Sequence, residues 1–367
     1  MVRAKHKKRG WKKGALCLFA VGVLGAAVFA GMSLLGDTSS PWHYTGGSKS
    51  QKSGKSSDNP LFNRRLYVDP ERDVVKLAAN YRQQGKKTEA ELAERIAKQP
   101  EAVWLVGPTT GDPTASKDIA EITRTSKEAA AQSAVPLYQL YAIPRRDACA
   151  SYSQGGFATT KEYIAWLDQI LKALQSDAVF SVEADALAHT VNSGCMTAAQ
   201  ATERYQLLSA TLKRLKANRR VVAAYLDAGH PDWFPDPKVL VAPLQKAGID
   251  NARGIAVNVS NFVANPKAVE WTQKLVGHLD GKKGAIIDTS RNGKGTPPAS
   301  VTGDARWCNP AGRGLGSRPS TNVSQSSIDA YVWIKTVGES DGACFGNPAA
   351  GVFMPAMALE LARNATP

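Results

Sequence analysis

The sequence predicts an α/β fold of the TIM-like kind, a closed parallel β/α barrel forming one catalytic domain, and three observations carry the prediction. From Leu61 onward, short β-branched or aromatic runs alternate with helix-like stretches, the pattern of strands joined by crossover helices. Eight such runs occur, the number of a standard barrel. No glycine-rich phosphate turn follows the first of them, which disfavours a doubly wound nucleotide-binding sheet. The stretch from Leu61 to Pro367 also suits a single barrel, for which about 250 residues is typical.

Taken in order, the strand candidates are Leu66 to Asp69, Ala102 to Gly107, Pro136 to Ile143, Val179 to Asp185, Val221 to Asp227, Gly254 to Asn258, Ala285 to Asp288 and Ala330 to Lys335. Between them, Asp69-Pro70 and Asp236-Pro237 each place an N-cap before a proline at the first helical position. Ala198 to Ala217 carries apolar residues at helical spacing and predicts one long helix.

The N-terminus is of another kind. Seven Lys/Arg and no acid occupy residues 1–36, and Gly14 to Leu35 is a run of 22 uncharged residues behind that basic start, long enough to span a bilayer as a helix. The positive-inside rule keeps the basic flank cytoplasmic and sends the rest across. Residues 1–36 are therefore expected to be an export signal, an uncleaved membrane anchor in preference to a cleaved signal peptide, with the chain on the extracellular face, or secreted if the segment is cleaved. Residues 37–58, rich in Ser, Gly and Lys, read as a flexible tether, and 59–367 as the catalytic domain.

Lys and Arg exceed Asp and Glu by 14 over the whole chain, yet from Pro60 onward 36 basic residues face 30 acidic ones. That surplus is modest, and no basic stripe with interleaved aromatics accompanies it, so nucleic-acid binding is not expected. There is no H-E-x-x-H, C-x-x-C or G-x-S-x-G, and the five histidines are scattered; metal and Ser-His chemistry lose their usual signals. No metal and no cofactor are expected. What remains is a set of carboxylates, Asp147, Asp185, Asp227, Asp288 and Asp341, each at or beyond the C-terminal end of a strand candidate, the edge where barrel enzymes build their sites. Asp288-Thr-Ser also suits a cap. The period of two puts Glu183 and Asp185 on one strand face, and crowded carboxylates beside apolar walls acquire the raised pKa that a general acid requires.

These residues carry a resemblance. Tyr141-Ala-Ile-Pro-Arg-Arg-Asp147, Val182-Glu-Ala-Asp185-Ala-Leu-Ala, Tyr225-Leu-Asp227-Ala-Gly-His, Asn258-Val-Ser-Asn261-Phe, Asp288-Thr-Ser-Arg-Asn-Gly, Trp307-Cys-Asn-Pro and Val332-Trp-Ile-Lys335 with Glu339 and Asp341 resemble, in this order, glycoside hydrolase family 6, the cellulase family of endoglucanases and cellobiohydrolases. The resemblance implies a distorted, closed barrel of seven strands, so one of the eight candidates is expected to fail. It implies Asp185 as general acid, Asp147 as the aspartate that keeps this acid protonated and relays a proton from water, and Asp341 as base, directly or through a water chain. Tyr141 matches a tyrosine beside the distorted sugar and Ser153 a loop serine that holds the nucleophilic water. Trp233, Trp307, Lys335, Glu339, Asp227 and Asn258 match substrate-binding positions, where an indole face stacks on a sugar ring and polar groups bond its hydroxyls.

Two departures bear on local geometry: Ala148 separates Asp147 from Cys149, and Ala184 stands where the family has proline before the acid. The exported cysteines Cys149, Cys195, Cys308 and Cys344 allow three pairings. Sequence order favours Cys149 with Cys195 and Cys308 with Cys344, and the resemblance implies the same. The expectation is an inverting endo-1,4-β-glucanase, monomeric, whose partner is a β-1,4-glucan. A cellobiohydrolase or a non-catalytic glycan-binding protein on the same fold are the alternatives. Cellobiohydrolases of the family the chain resembles roof their site with two long loops within the Cys149–Cys195 and Cys308–Cys344 segments; here those segments are short, so the resemblance implies the endo-acting form.

Overall fold

The computed structural model describes residues 58–149, 152–191 and 194–365. The expected membrane segment and most of the tether lie outside these residues; among the described residues no helix is long and apolar enough to cross a membrane.

Seven parallel strands form one sheet in sequence order: β1 (Val103–Leu105), β2 (Leu137–Leu140), β3 (Ala178–Val182), β4 (Val221–Asp227), β5 (Gly254–Val257), β6 (Gly284–Asp288) and β7 (Ile328–Val332). Nine α-helices accompany them among the described residues: α1 (Asp73–Gln83), α2 (Lys87–Ala97), α3 (Ser116–Ala131), α4 (Thr160–Ala173), α5 (Ala188–Val191), α6 (Ala198–Ala217), α7 (Val241–Lys246), α8 (Asn265–His278) and α9 (Pro355–Arg363). The long helix matches the expected bounds because both ends are written locally. Thr197 and Gln200 form a capping box at its start, and such a box satisfies two backbone N–H groups at once.

Strand alternation sorts side chains onto two cores. Phe180, Val182, Leu226 and Ile255 pack outward against the helices, whereas Val179, Ala223, Tyr225, Ala256 and Ile286 fill the interior. Burial on both faces explains why the strands read as continuous apolar runs. At the foot of the interior, the Asp329 carboxylate accepts a bidentate pair from Arg253 at 2.8 and 2.9 Å and the Tyr225 hydroxyl at 2.8 Å. Gly284 makes room for it, since a Cβ there would stand 1.9 Å from Asp329 Oδ2.

Three expectations are corrected. Leu66 to Asp69 is not a strand: Leu66 makes one isolated parallel bridge to Val135. Nor does Asp69 cap a helix, because α1 begins at Asp73; Asp69 instead accepts the Glu71 N–H at 2.9 Å and pairs with Arg124. The ring, finally, is not sealed by a seventh ladder. Among the described residues the main chain joins the two ends of the sheet by one bond, Ala102 N–H to the Trp333 carbonyl at 2.8 Å. Side chains stitch the rest: the Trp104 indole donates to the Ile334 carbonyl at 2.7 Å, and the buried Glu101 carboxylate takes the Val337 N–H at 3.0 Å and Arg72 at 2.6 Å. The cause is competition for donors. The N–H groups of Ile334 and Lys335 are claimed by the Asp288 carboxylate at 3.2 and 3.0 Å, which draws the chain after β7 toward β6 and away from β1. Helices α1, α2 and α9 cover the seam with Val74, Ile96, Leu361 and the buried Trp333.

Candidate active site

Backbone conformation at the strand exits decides where the functional side chains point. Asp147, Glu183, Asp185, Asn258 and Ser260 all have positive φ, between 52° and 66°, which costs a non-glycine residue on the order of 1–3 kcal/mol and clusters at functional sites. The period of two therefore fails beyond Val182, and Glu183 and Asp185 part company. Glu183 is buried against α4, where its carboxylate accepts the Tyr163 hydroxyl at 2.8 Å and the N–H groups of Ala142 and Ile143 at about 3.1 Å. Asp185 alone enters the cavity.

That cavity has a volume of about 710 Å³ and is lined by Tyr141, Asp147, Ser153, Asp185, Trp233, Trp307, Lys335, Glu339 and Asp341. All five residues expected to do chemistry meet there, with four of the six expected to bind sugar. Asp185 is pushed up from an ordinary 3.8 to about 7, first by burial and then by the charges of Asp147 and Asp341. Such a carboxyl still holds a proton near neutrality. Asp147 accepts the Ser153 N–H at 2.6 Å and its hydroxyl at 3.1 Å, and Ser153 Oγ lies 2.9 Å from the Tyr141 hydroxyl. Carboxylate, serine and phenol thus form one continuous hydrogen-bonded chain. Arg146 braces it, lying 4.8 Å over the Tyr141 ring and donating to the carbonyls of Ser153, Val106 and Tyr141.

Asp341 stands on the opposite wall between two cations. Arg291 reaches it at 2.9 Å and Lys335 at 3.7 Å, and the Asn309 N–H donates to it at 3.0 Å. Arg291 is buried, donates also to the Ser260 carbonyl and lies 4.4 Å over the Phe262 ring. Lys335 is set by Asp288, whose two oxygens collect N–H groups from Ser260, Ser290, Ile334 and Lys335. Asp288 thus caps a turn, through Ser290, and no helix, and burial pushes both its carboxyl up and the Lys335 amine down. Glu339 is pushed up to about 7, mainly by burial. Both expected disulfides are present, Cys149–Cys195 and Cys308–Cys344.

Two expected binding residues do not reach the cavity. Asp227 is buried beneath Asp185, where Oδ1 accepts the N–H groups of Asp185 at 3.0 Å and Gly229 at 3.1 Å; it orients the Asp185 backbone. Asn258 is fully buried and ties loops together, donating to the Asp288 carbonyl at 2.8 Å and accepting the Val263 N–H at 3.0 Å.

Other residues escaped the sequence. Trp104 on β1 meets Tyr141 edge to face at 5.3 Å and lies 5.9 Å from the Lys335 ammonium. Nothing in a half-buried strand tryptophan announces this. Arg291 had a signal in retrospect, an arginine three residues beyond a strand-end aspartate. His189 and His230 flank Trp233 at 5.7 and 5.8 Å, both pushed down by burial to about 4. Their scatter in sequence conceals that the fold brings them to one indole.

A family model described as glycosyl hydrolases family 6 matches residues 61–365. Endoglucanase A of Cellulomonas fimi is 36% identical over 302 residues, 82% of this chain and 61% of its own length. A protein of Neosartorya fischeri described as a probable 1,4-beta-D-glucan cellobiohydrolase C is 32% identical over 285 residues, 68% of this chain and 62% of its own. The chain thus spans about three-fifths of each of these relatives. Among solved structures, the endoglucanase Cel6 from Mycobacterium tuberculosis, in complex with methyl-cellobiosyl-4-deoxy-4-thio-β-D-cellobioside, superposes with a TM-score of 0.74 at 36% identity, covering 83% of this chain and 99% of that one.

Proposed function

This chain belongs to glycosyl hydrolase family 6, and from that premise we propose that it hydrolyses internal β-1,4-glucosidic bonds of cellulose or a related β-glucan with inversion at the anomeric carbon. The observation that carries the proposal is Asp185, a carboxyl raised to about 7 by burial and two further aspartates in a cavity walled by tryptophans. In this reading Asp185 donates its proton to the glycosidic oxygen as the bond breaks. The negative charges of Asp147 and Asp341 serve twice, holding the proton on Asp185 beforehand and stabilising the oxocarbenium-like sugar as it forms. Water attacks from the face opposite the leaving group. Its proton has a prepared route, from Ser153 to Asp147. Asp341 has one oxygen already committed to Arg291 and the Asn309 N–H, which favours a base acting through water. Trp233 and Trp307 offer stacking faces, and Lys335 and Glu339 bond sugar hydroxyls.

The endo mode is supported by the cysteine-bounded segments. They separate their cysteines by only 46 and 36 positions, and α4, β3, α5 and β7 already occupy them. Viscometry on a soluble cellulose derivative should show viscosity falling much faster than reducing ends appear, and early proton NMR should show the α-anomer as first product. Cellobiose released at nearly constant viscosity would favour the cellobiohydrolase reading, and a β-anomeric first product would exclude inversion. The paired cysteines suit an oxidising compartment, and we extend the proposal to an exported enzyme tethered by residues 14–35. N-terminal sequencing of cell-associated protein tests this; a mature end near Gly31 in all the material would exclude the anchor.

A further inference from the structure

Arg204, on α6, is buried and does not line the active-site cavity. Among the described residues its guanidinium hydrogen-bonds three main-chain carbonyls and no carboxylate. Nη1 donates to Ala186 at 3.2 Å, and Nη2 donates to Pro144 at 2.8 Å and to Arg145 at 3.0 Å. Those carbonyls belong to two different loops. Ala186 follows Asp185 at the exit of β3, whereas Pro144 and Arg145 precede Asp147 beyond β2. One side chain thus ties the turn that carries Asp185 to the loop that carries Asp147. A second tie lies on the far side of Asp147, where Cys149 is joined to Cys195, just before the Thr197 that caps α6.

Burial pushes Arg204 down to about 10 against the pull of Glu183, so the buried cation is held at a cost. An ammonium could face Glu183 as well. Only a planar fork with several fixed donors reaches carbonyls of two loops at once. We propose that Arg204 is a positioning residue for the hydrolysis, fixing the spacing of the Asp147 and Asp185 carboxyls by holding their two loops on one guanidinium. The inference rests on the reading of Asp185 as proton donor. Like charges drive the loops apart unless something holds them, and doubling a separation halves its Coulomb energy. Asp185 is faced by Tyr141 and Asp147 from β2 and its loop, by Asp227 from β4 and by Asp341 from beyond β7, with His189 one turn on in α5. Among these carboxylates, Asp147 is the one on a loop that Arg204 grips. Arg204 itself is faced by Glu183, Glu203, Tyr163 and Arg145, and by His189; the charges that act on Asp185 are those of Asp147 and Asp341. Release of Arg204 therefore reaches Asp185 through Asp147.

Arg204→Lys keeps a charge opposite Glu183 and loses the fork, and Arg204→Met removes both. Each is made alone and in the Asp147→Asn background, with thermal melting to confirm folding. The readout is the position of the high-pH limb of kcat/KM on a soluble cellulose derivative, each profile normalised to its plateau. Either single variant should bring the limb down by about half a pH unit, and neither should move it further once Asp147 is an amide. Whichever variant folds decides the matter. A limb that stays or rises, or that falls equally with and without Asp147, overturns the positioning role. So does failure of both variants to fold, which would make Arg204 a stability residue. All of these leave the hydrolase intact, whereas a wild-type chain that cuts no β-1,4-glucan overturns the hydrolase reading and this inference with it.

Discussion

Asp147→Asn should move the pH dependence of turnover in a direction that the arrangement of charges dictates. The rise of Asp185 from 3.8 to about 7 corresponds to roughly 4 kcal/mol at about 1.4 kcal/mol per pH unit. Burial is the largest cause, Asp147 the second and Asp341 the third, so Asp147 supplies less than half. An amide keeps an oxygen for the Ser153 N–H but carries no charge, and the expected loss is about one pH unit, a little over 1 kcal/mol. The acid works only when protonated, so its titration is the high-pH limb of kcat/KM. In the wild type that limb should fall near 7, and in the variant near 6. At pH 7 the variant should then retain roughly a tenth of its own low-pH plateau, against about half for the wild type. Normalising each profile to its plateau separates this from any loss of proton relay through Ser153. A limb that stays in place, or moves upward, would refute the claim that Asp147 holds the proton on Asp185.

Asp185→Asn should lower turnover of unactivated cello-oligosaccharides by about 10² to 10⁴ while binding measured by calorimetry survives; wild-type activity would remove Asp185 from the mechanism. The same variant should be the more stable protein at high pH. A carboxyl raised from 3.8 to about 7 contributes stability fully present below 3.8 and lost as pH rises through 7, so the unfolding free-energy advantage of the amide should grow between pH 4 and 8, to at most about 4 kcal/mol, as read by denaturant unfolding at each pH; a constant offset would contradict it. Cys308→Ser with Cys344→Ser should cost about 4 kcal/mol on the loop-entropy account, read by denaturant unfolding, and no change would show that the Asp341 loop is held by other contacts. Gly284→Ala should drive a methyl into Asp329 and cost more than about 3 kcal/mol; a wild-type melting curve would mean that the Arg253–Asp329–Tyr225 cluster can shift.

Much of this was legible because the relevant information is local. Ala198 to Ala217 carries its own capping box, the strand runs are buried on both faces, and the cysteines pair in the order they occur. The failures share a cause as well. Glu183 and Asp185 depart from alternation because both adopt positive φ, a choice imposed by the Ala142 and Ile143 amides on one and the Asp227 carboxylate on the other. Those partners lie some 40 positions away, beyond the reach of any spacing rule. Asp227 and Asn258 occupy motif positions yet face backbone instead of the cavity, since a motif records which residues recur and not which atoms they touch. The position of Trp104 at the cavity, and the pairing of Arg291 with Asp341, became visible only once β1, β6 and β7 were placed in the fold.

The seam between β1 and β7 divides the mouth into a stiff wall and a compliant one. Under Asp185, β3 pairs with β4 across five register positions, and widening the site there would break several main-chain bonds together. Where Trp104 and Lys335 stand, a single amide, Ala102, bridges the ends of the sheet, and the other stitches are side chains that can swing. On the proposed reading, strain imposed by a bulky or distorted glucan would therefore be relieved on the Trp104 side, leaving Asp185 still. A barrel laced all the way round would have had to share that strain with Asp185.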